Sequence, residues 1–445
     1  MNAQDHHVQS EDDITILGST DFRGIEKRFG IKRKDRRQHT YILGRTGVGK
    51  STLLISMIAQ DIARGEGIAV IDPHGDLADK ILTLVPKHRT NDLVLFDPSD
   101  QAYPIAFNFL ETTDSSDAHF VTSKILISSG LISVFKKLWS DSWGPRLEYL
   151  LRNAVLALLE SNGQTLLGIT RMFTNESFRQ SIVCNVRDPI VKSFWTEEFA
   201  SYNDAFRSDA ASPILNKVGQ FLSTSLLRNI VCQPKSTLNF DDLMNSRMIL
   251  IANLSKGKIG EDNAALLGAI LITKLQLAAM QRAAIPESDR SDFHLYVDEF
   301  QNFATDSFAE ILSEARKFKL NLTIANQYLE QLPRSLSGAI LGNVGNIICF
   351  RLGAPDAELL QREFMPEFGQ FDLAQLANHS AYIRMTVDGA TCKPFSMKTE
   401  LPNSVLEGQI RAVNLRKVSR ERYGRSKEQV EERIRRWFRT STESS

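Results

Sequence analysis

A glycine-rich stretch near the start of the chain constrains the fold more than any other feature. It follows an apolar run at residues 41–43, precedes a helix-forming segment, and consists of Gly44, Arg45, Thr46, Gly47, Val48, Gly49, Lys50, Ser51 and Thr52. Between a strand and a helix, glycines let successive N–H groups point at one anion, and the helix adds its positive end. The sequence therefore predicts a phosphate-binding loop for a nucleotide, in which Lys50 contacts the terminal phosphates and Ser51 holds Mg²⁺.

The fold class is predicted from short β-branched runs that are separated by segments of helix length. These runs lie at residues 41–43, 67–72, 93–96, 248–252, 293–297, 322–325 and 346–350. Strands that alternate with helices predict a parallel sheet with right-handed crossovers, which is a doubly wound α/β core. Two later runs, at residues 381–385 and 392–396, flank Asp388 and Gly389 and predict a hairpin.

Domain boundaries are predicted from a change in periodicity. Between residues 113 and 237 strand-like runs become scarce, and apolar residues recur at helical spacing from Pro145 onward. We interpret this segment as an all-α domain inserted into the core. The other predicted parts are a polar N-terminal segment at 1–21, the α/β core at 22–112 and 238–410, and a basic helical tail at 411–445 with one charged helix at 418–439.

Charge and cysteine content limit the classes of partner and site. The 445 residues include 53 basic and 53 acidic side chains, so affinity for nucleic acid must come from local patches. One patch is the basic tail, and the other consists of Arg23, Lys27, Arg28, Lys32, Arg33, Lys34, Arg36 and Arg37. Either patch could contact nucleic acid or form an ordinary solvated face. The 4 cysteines show no metal-site or disulfide spacing, which fits a reducing compartment.

No segment is predicted to span a membrane. The most apolar stretch, at residues 264–280, is interrupted by Thr273, Lys274 and Gln276, which indicates a buried helix. The residues ahead of the phosphate loop are mostly polar and lack the pattern of a signal peptide. We therefore expect a cytoplasmic protein without a membrane anchor.

A second half of the nucleotide site is predicted where an apolar run ends in Asp298 and Glu299, because ligands bind at the carboxyl ends of parallel strands. Asp298 is expected to hold the Mg²⁺ shell, and Glu299 to orient and deprotonate the attacking water. Gln327 follows a later strand, from which its amide can sense the terminal phosphate. Arg316 precedes that strand; it is either a surface charge or an arginine that acts on the nucleotide of a neighbouring subunit, which predicts a ring.

A loop at residues 254–260 carries Lys256 and Lys258 after another core strand. In a ring this loop could face a central channel and contact a DNA backbone. The alternative is an ordinary solvated loop.

Several segments, taken in chain order, carry a family resemblance. They are the phosphate loop, Asp72-Pro73-His74-Gly75-Asp76-Leu77, Trp143-Gly144-Pro145-Arg146-Leu147-Glu148, Asn253-Leu254-Ser255-Lys256-Gly257 and Val297-Asp298-Glu299-Phe300-Gln301. Together, and over about residues 22–423, they resemble the HerA–FtsK superfamily of DNA-pumping ATPases, and within it the conjugative coupling proteins of type IV secretion systems (TraD/TraG-like). In the family pattern the phosphate-loop pair, the acidic pair, the trans arginine and the sensor glutamine align with Lys50, Ser51, Asp298, Glu299, Arg316 and Gln327.

The resemblance implies an α/β fold: a RecA-like P-loop ATPase core with a mainly parallel sheet, an inserted all-α domain that faces the DNA entrance or the relaxosome, and a C-terminal hairpin plus helix. It also implies a hexamer that moves DNA through its pore. The expected function is a ring-forming ATPase that translocates DNA with ATP and Mg²⁺. Two alternatives stay open: a nucleotide-switched adaptor that recruits a relaxase or an effector protein, and a motor subunit that works with a separate nuclease. A secretion channel is a further candidate partner, and His74 and Asp76 receive no chemical role.

Overall fold

The computed structural model describes residues 13–21, 25–112, 120–305, 308–400 and 408–440. The chain divides into two compact units. The first takes the described parts of Met1–Leu93, Asp242–Ala252 and Arg282–Leu415, and the second takes those of Val94–Asp241, Asn253–Gln281 and Arg416–Ser445. These units divide the chain at other residues than the predicted domains, whose boundaries stay a prediction.

The elements are named in chain order. The strands are β1 (Ile14–Thr20), β2 (Arg28–Lys32), β3 (Thr40–Leu43), β4 (Gly67–Asp72), β5 (Leu93–Phe96), β6 (Ile249–Asn253), β7 (Phe293–Val297), β8 (Leu320–Asn326), β9 (Asn346–Cys349), β10 (Ser380–Arg384), β11 (Thr386–Val387), β12 (Ala390–Thr391) and β13 (Phe395–Lys398). The helices are α1 (Arg33–Arg36), α2 (Lys50–Ala63), α3 (Asp76–Leu84), α4 (Phe120–Leu138), α5 (Pro145–Leu159), α6 (Leu166–Thr174), α7 (Glu176–Val183), α8 (Pro189–Ser193), α9 (Phe199–Ser201), α10 (Asp204–Ser223), α11 (Ser225–Val231), α12 (Phe240–Asn245), α13 (Lys256–Ile259), α14 (Glu261–Gln281), α15 (Phe308–Glu314), α16 (Arg334–Asn343), α17 (Ala354–Phe364), α18 (Gln370–Ala374), α19 (Gly408–Tyr423) and α20 (Lys427–Thr440).

The first unit is built on a large sheet, whose strands in this unit run in the order β2-β1-β13-β10-β9-β3-β8-β7-β4-β6. The central strands β9, β3, β8, β7 and β4 pair in parallel. Every residue of these strands is buried, as is typical of parallel sheets. The predicted α/β core with its buried parallel strands is confirmed.

An antiparallel flank continues the sheet from β9 through β10, β13, β1 and β2. The predicted hairpin is part of it, and its turn places Asp388 at φ 54 and Gly389 at φ 82. Two successive positive φ values characterise the tight turn that fits the twist of a hairpin. The hairpin prediction is confirmed.

The strands β1 and β2 are absent from the sequence-based prediction. β1 lies in the predicted polar N-terminal segment, where Leu17 is buried and the Ile16 backbone bonds to the side-chain amide of Gln60 on α2. β2 is the edge strand of the sheet, and edge strands commonly carry charged residues. Because β2 carries the basic residues Arg28 and Lys32, its sequence lacks the apolar run by which the other strands were predicted.

Six residues of the basic patch around α1 form ion pairs within the first unit. Arg36 is buried and forms a bidentate pair with Asp61 on α2, at 2.5 and 2.9 Å. The other pairs join Arg33 and Arg37 to Asp292, Lys32 and Lys34 to Asp388, and Arg28 to Glu400. Both predicted interpretations, a free nucleic-acid surface and a solvated face, are wrong for Arg36; Arg23 lies outside the described residues.

The second unit is mainly helical, and α5 begins at Pro145 as predicted. The single charged helix predicted at residues 418–439 is wrong, because α19 ends at Tyr423 and α20 begins at Lys427. Gly424 lies at this break, where a Cβ atom would come within 2.8 Å of the Arg420 carbonyl oxygen. A side chain at this position would clash with the backbone, so glycine fits the break.

The long apolar helix belongs to the second unit as α14. Among the described residues, the segment Glu261–Ala284 is long and apolar enough to cross a membrane, yet 78% of its apolar window is buried in the fold. A buried core helix has the same length and composition, and this burial agrees with the prediction for residues 264–280.

Candidate nucleotide site

The phosphate loop connects β3 to α2 in the first unit. Gly47 and Gly49 adopt φ values of 78° and 119°, which glycine reaches without a steric penalty. Lys50 begins α2, and its Nζ donates to the carbonyl oxygens of Gly44 at 2.6 Å and Arg45 at 3.1 Å. Burial lowers the pKa of Lys50, while the charges of the neighbouring carboxylates act in the opposite direction. The loop thus holds a buried cation at its centre.

The predicted acidic pair lies beside this cation. Asp298 follows β7, and its backbone N–H donates to the Ile71 carbonyl of the neighbouring strand β4 at 3.1 Å. Its side chain is buried and accepts from the Glu299 N–H at 3.0 Å. Burial, followed by the charges of Glu299 and Asp72, raises the pKa of Asp298 to about 6. The raised pKa reflects several buried carboxylates close together. A bound cation would reduce the repulsion between them.

Glu299 is held by two side-chain amides. Its Oε1 accepts from Gln327 Nε2 at 2.7 Å, and its Oε2 accepts from Gln301 Nε2 at 2.6 Å. The residue is buried and has a φ of 45°, an unusual value for a side-chain-bearing residue that is typical of functional sites. Gln327, predicted to sense the phosphate, therefore contacts the predicted base. Gln301 belongs to the family-like segment, but no pattern in the sequence places it on this carboxylate.

These groups border a cleft of about 450 Å³. Its lining residues are Thr46, Gly47, Gly49, Lys50, Ser51, Thr52, Ile55, Asp72, His74, Asp76, Leu77, Lys80, Asp298, Glu299, Gln327 and His379. Three loop residues do not line the cleft: the carbonyl oxygens of Gly44 and Arg45 accept from Lys50, and Val48 is buried. The structure thus brings the predicted loop, acidic pair and glutamine together.

Asp72 and His379 are two of the cleft residues that the sequence did not assign to the site. Asp72 ends β4, and its carboxylate accepts from the N–H groups of His74 at 2.8 Å and Ala78 at 2.9 Å, which holds the start of α3. The rule of strand ends that identified Asp298 also applies to Asp72. His379, at φ 65, donates its N–H to the Val48 carbonyl at 2.7 Å, and no local signal connects these distant segments.

Arg316 lies outside this cleft. It is exposed on a helical turn, Ala315–Phe318, just before β8, and it donates to Gln38 Oε1 at 3.1 Å. Gln327 follows the other end of β8, whose 7 residues span about 23 Å at 3.3 Å per residue. Arg316 and the cleft therefore lie toward opposite ends of this strand.

The lysines predicted to contact DNA belong to the second unit. Residues Lys256–Ile259 form one helical turn, α13, so the predicted loop is partly wrong. Lys256 pairs with Glu261 at 2.9 Å, and Lys258 is exposed. The start of α14 neutralises one of the two charges.

The donor set fits a nucleotide with a divalent cation. Lys50 supplies a positive charge for phosphates, and Ser51 and Asp298 offer oxygen ligands of the kind that Mg²⁺ prefers. Within the described residues, no group of three or more His, Cys, Asp or Glu side chains could hold a metal by itself. Mg²⁺ usually combines one or two protein oxygens with phosphates and water, so this donor set suits a metal that arrives with a nucleotide.

Replacement of Asp298 by asparagine is expected to stabilise the protein without ligands at pH 8. The pKa of this carboxyl rises from 3.8 to about 6 on folding. Its contribution to stability is therefore present below pH 3.8 and is lost as the pH rises through 6, where ionisation costs about 2–3 kcal/mol. An asparagine side chain at this position cannot ionise, so the variant should unfold at a higher urea concentration at pH 8.

The matching measurement is urea denaturation in EDTA at pH 8 and pH 5. The gain of Asp298→Asn should shrink at pH 5, and the exposed cleft residue Asp76, replaced by asparagine, serves as the control with little change at either pH. A loss of stability at pH 8 in Asp298→Asn would contradict the strained-charge interpretation.

The chain is similar to several known proteins. The chain is 24% identical over 409 residues to the type 4 coupling protein DotL of Legionella pneumophila, with 77% of this chain and 50% of DotL covered. The chain thus spans about half the length of that curated relative.

Solved structures show the fold. The unbound bacterial conjugative coupling protein TrwB matches with a TM-score of 0.61 at 15% identity, over 88% of this chain and 90% of that chain. VirB4 of Thermoanaerobacter pseudethanolicus matches with a TM-score of 0.56 at 14% identity, over 89% and 98%. The predicted RecA-like ATPase fold is confirmed.

A family model described as "Helicase HerA, central domain" matches residues 18–272, which is more than half of the chain. This match includes the phosphate loop and Asp72, and it agrees with the resemblance identified from the sequence motifs. The chain belongs to the HerA helicase central-domain family of P-loop ATPases.

Proposed function

We propose that this protein is a Mg²⁺-dependent ATPase that assembles as a ring, a hexamer in the family pattern, and translocates DNA in the cytoplasm. The observation that carries the proposal is the cleft in which Lys50, Asp298 and Glu299 meet. TrwB has been solved with the ATP analogue ADPNP and with ADP and Mg²⁺, which supports the same ligands here.

Each cleft residue has a role in this proposal. Lys50 binds the terminal phosphates, and Ser51 and Asp298 hold Mg²⁺, which when bound neutralises charge on the phosphate oxygens. Glu299 accepts a proton from the attacking water in a buried site where its orientation is fixed by Gln301 and Gln327. Because the Gln327 amide donates to Glu299, a contact between this amide and the terminal phosphate would link nucleotide binding to the base.

Arg316 is proposed to complete the site of a neighbouring subunit. Its place toward the opposite end of β8 from the cleft supports a contact in trans rather than in its own cleft. An arginine supplied in this way stabilises the negative charge of the transition state, which raises the turnover rate by about 10³–10⁵-fold.

A mixing experiment tests the trans role. Arg316→Ala and Glu299→Gln should each have very low ATP turnover, and a mixture of the two should regain part of it, because some interfaces then combine an intact Glu299 with an intact Arg316. The exposed neighbour Lys317, replaced by alanine, is the control and should keep normal turnover. If Arg316 acted within its own subunit, mixing would restore nothing.

The DNA part of the proposal is supported by the coupling proteins that the chain resembles and by the exposed Lys258 with its neighbour Lys256. The test is ATP turnover with and without single- and double-stranded DNA at several salt concentrations, since phosphate contacts weaken with salt. Slow turnover that is indifferent to DNA would favour the adaptor alternative. The same ATP-driven motor chemistry would serve a relaxase, a secretion channel or a separate nuclease as partner. These three partners remain proposals.

A further inference from the structure

A cavity of about 440 Å³ lies in the second unit. None of the residues that line it borders the nucleotide cleft. It is formed by the start of α6, the segment after α11, and the C-terminal helix α20. Its lining residues are Thr165, Leu167, Cys232, Gln233, Pro234, Lys235, Arg425, Val430, Arg433, Ile434 and Trp437. The volume is in the range of pockets that bind small ligands or short peptide segments.

The wall of the cavity is apolar and well supported. Leu167, Val430 and Ile434 are buried core residues that also border the cavity. Trp437 is packed edge-on against Phe178, with 5.9 Å between ring centroids. Such a wall accepts an apolar side chain without rearrangement.

The cysteine in this wall is chemically inert. Cys232 is buried, and burial raises the pKa of its thiol to about 12. A protonated thiol behaves as a small apolar group, so Cys232 adds to the apolar surface and offers no nucleophile.

The polar groups of the cavity carry one sign of charge. Lys235, Arg425 and Arg433 are its ionisable lining residues apart from the inert thiol, and no carboxylate is among the described residues that line it. Arg425 donates only weakly, at 3.4 Å, to the Gln233 side-chain oxygen. Its pKa is lowered by burial and by the charge of Arg433, so the two guanidinium groups repel each other.

Several other basic residues of this tail form ion pairs. In the described part of α19 and α20, the pairs with carboxylates include Arg416–Asp97, Lys417–Glu421, Arg420–Asp100, Lys427–Glu431, Arg435–Glu431, Arg435–Glu432 and Arg436–Glu432. No ion pair joins Arg425, Arg433 or Lys235 to a carboxylate of the described residues. Carboxylates thus accompany these basic residues along the helices, whereas the described lining of the cavity contains none.

An apolar wall beside three uncompensated cations selects a ligand with an apolar group and more than one negative charge. A nucleic-acid backbone supplies the charge but does not need an apolar cavity, and a simple fatty acid supplies only one charge. A polypeptide in which acidic residues flank an apolar one supplies both features.

We propose that this cavity binds an acidic peptide segment of a partner protein, with one apolar side chain inserted between Leu167 and Ile434 and carboxylates at Lys235, Arg425 and Arg433. This site goes beyond the proposed motor function, because it requires neither ATP nor DNA. It gives the basic tail a role as a protein-docking element.

The proposal is tested by fluorescence anisotropy with the full chain and three labelled hexapeptides. The probe is Glu-Glu-Phe-Leu-Glu-Glu, and the comparison peptides are Lys-Lys-Phe-Leu-Lys-Lys and Glu-Glu-Ser-Ser-Glu-Glu. The acidic apolar probe should bind at least about tenfold more tightly than either comparison peptide, since each of these lacks one of the two recognised features.

Protein variants separate this site from general electrostatics. Arg425→Gln and Arg433→Gln should each weaken binding of the probe by about tenfold. Arg436→Gln makes the same charge change on the helix that carries Arg433, but outside the cavity lining, and should leave the affinity within about twofold. Circular dichroism melting identifies a variant that fails to fold, and Arg433, which is exposed, is the variant expected to fold normally.

Three results with the peptides and variants would overturn the proposal. They are the absence of probe binding up to about 1 mM, equal binding of the acidic and lysine peptides, and equal effects of Arg433→Gln and Arg436→Gln. Complete displacement of the probe by a single-stranded oligonucleotide would also overturn it and would assign the cavity to nucleic acid instead.

Discussion

Glu299→Gln is expected to lower ATP turnover by about 10²–10⁴-fold while nucleotide stays bound, because an amide cannot accept the proton of the attacking water. The carboxylate is fixed from both sides, with Gln327 on Oε1 at 2.7 Å and Gln301 on Oε2 at 2.6 Å. The substituted side chain keeps the size of glutamate and removes one negative charge from beside Asp298. Binding of the nucleotide phosphates should therefore be equal to or tighter than in the wild type.

The measurement pairs single-turnover hydrolysis with titration of a fluorescent ATP analogue. Glu330 is an exposed glutamate of the same unit, and Glu330→Gln is the matched control that should keep wild-type turnover. Normal hydrolysis by Glu299→Gln would show that another group activates the water. Loss of binding together with turnover would indicate that Glu299 supports the site rather than the chemistry.

Lys50→Ala is expected to abolish turnover through loss of binding. The Nζ of Lys50 donates to the Gly44 and Arg45 carbonyls at the centre of the loop, and a bound phosphate would become its main charged partner. A charge-assisted hydrogen bond contributes about 1.5–3 kcal/mol, so the affinity for ATP should fall by about 10–150-fold. The variant also lacks this positive charge during phosphoryl transfer, so turnover should be undetectable.

The test for Lys50 is the same ATP titration, combined with turnover at saturating ATP. Lys87 is exposed in the first unit outside the cleft, and Lys87→Ala is the control for a simple change of charge. If Lys50→Ala bound ATP like the wild type, the cleft would not be the nucleotide site.

Local sequence signals predicted the parts of the site that depend on neighbouring residues. The loop backbone needs positive φ values at Gly47 and Gly49, which glycine adopts freely. The short apolar run before Asp298, with its aromatic and β-branched residues, favours a buried strand. Both are decided within a few residues, and β4 and β7 were predicted with the bounds that the structure has.

The parts that sequence reasoning missed depend on contacts between distant segments. His379 reaches the loop only because the antiparallel flank brings the start of β10 beside Val48. The break between α19 and α20 carries Gly424, where an added Cβ atom would lie only 3.0 Å from the distant Tyr103. Charged residues also led to a wrong prediction. Arg36 belongs to a basic run that is typical of a protein surface, yet its side chain is buried and paired with Asp61.

DNA-dependent ATP turnover tests the central claim most directly. At low salt, wild-type protein should hydrolyse ATP several-fold faster with DNA than without it, the stimulation should fade as salt rises, and Lys256→Gln/Lys258→Gln should require more DNA for the same effect. Turnover that is unchanged by single- and double-stranded DNA at every salt concentration, together with no salt-sensitive DNA binding, would contradict the proposal that this ATPase is a DNA motor.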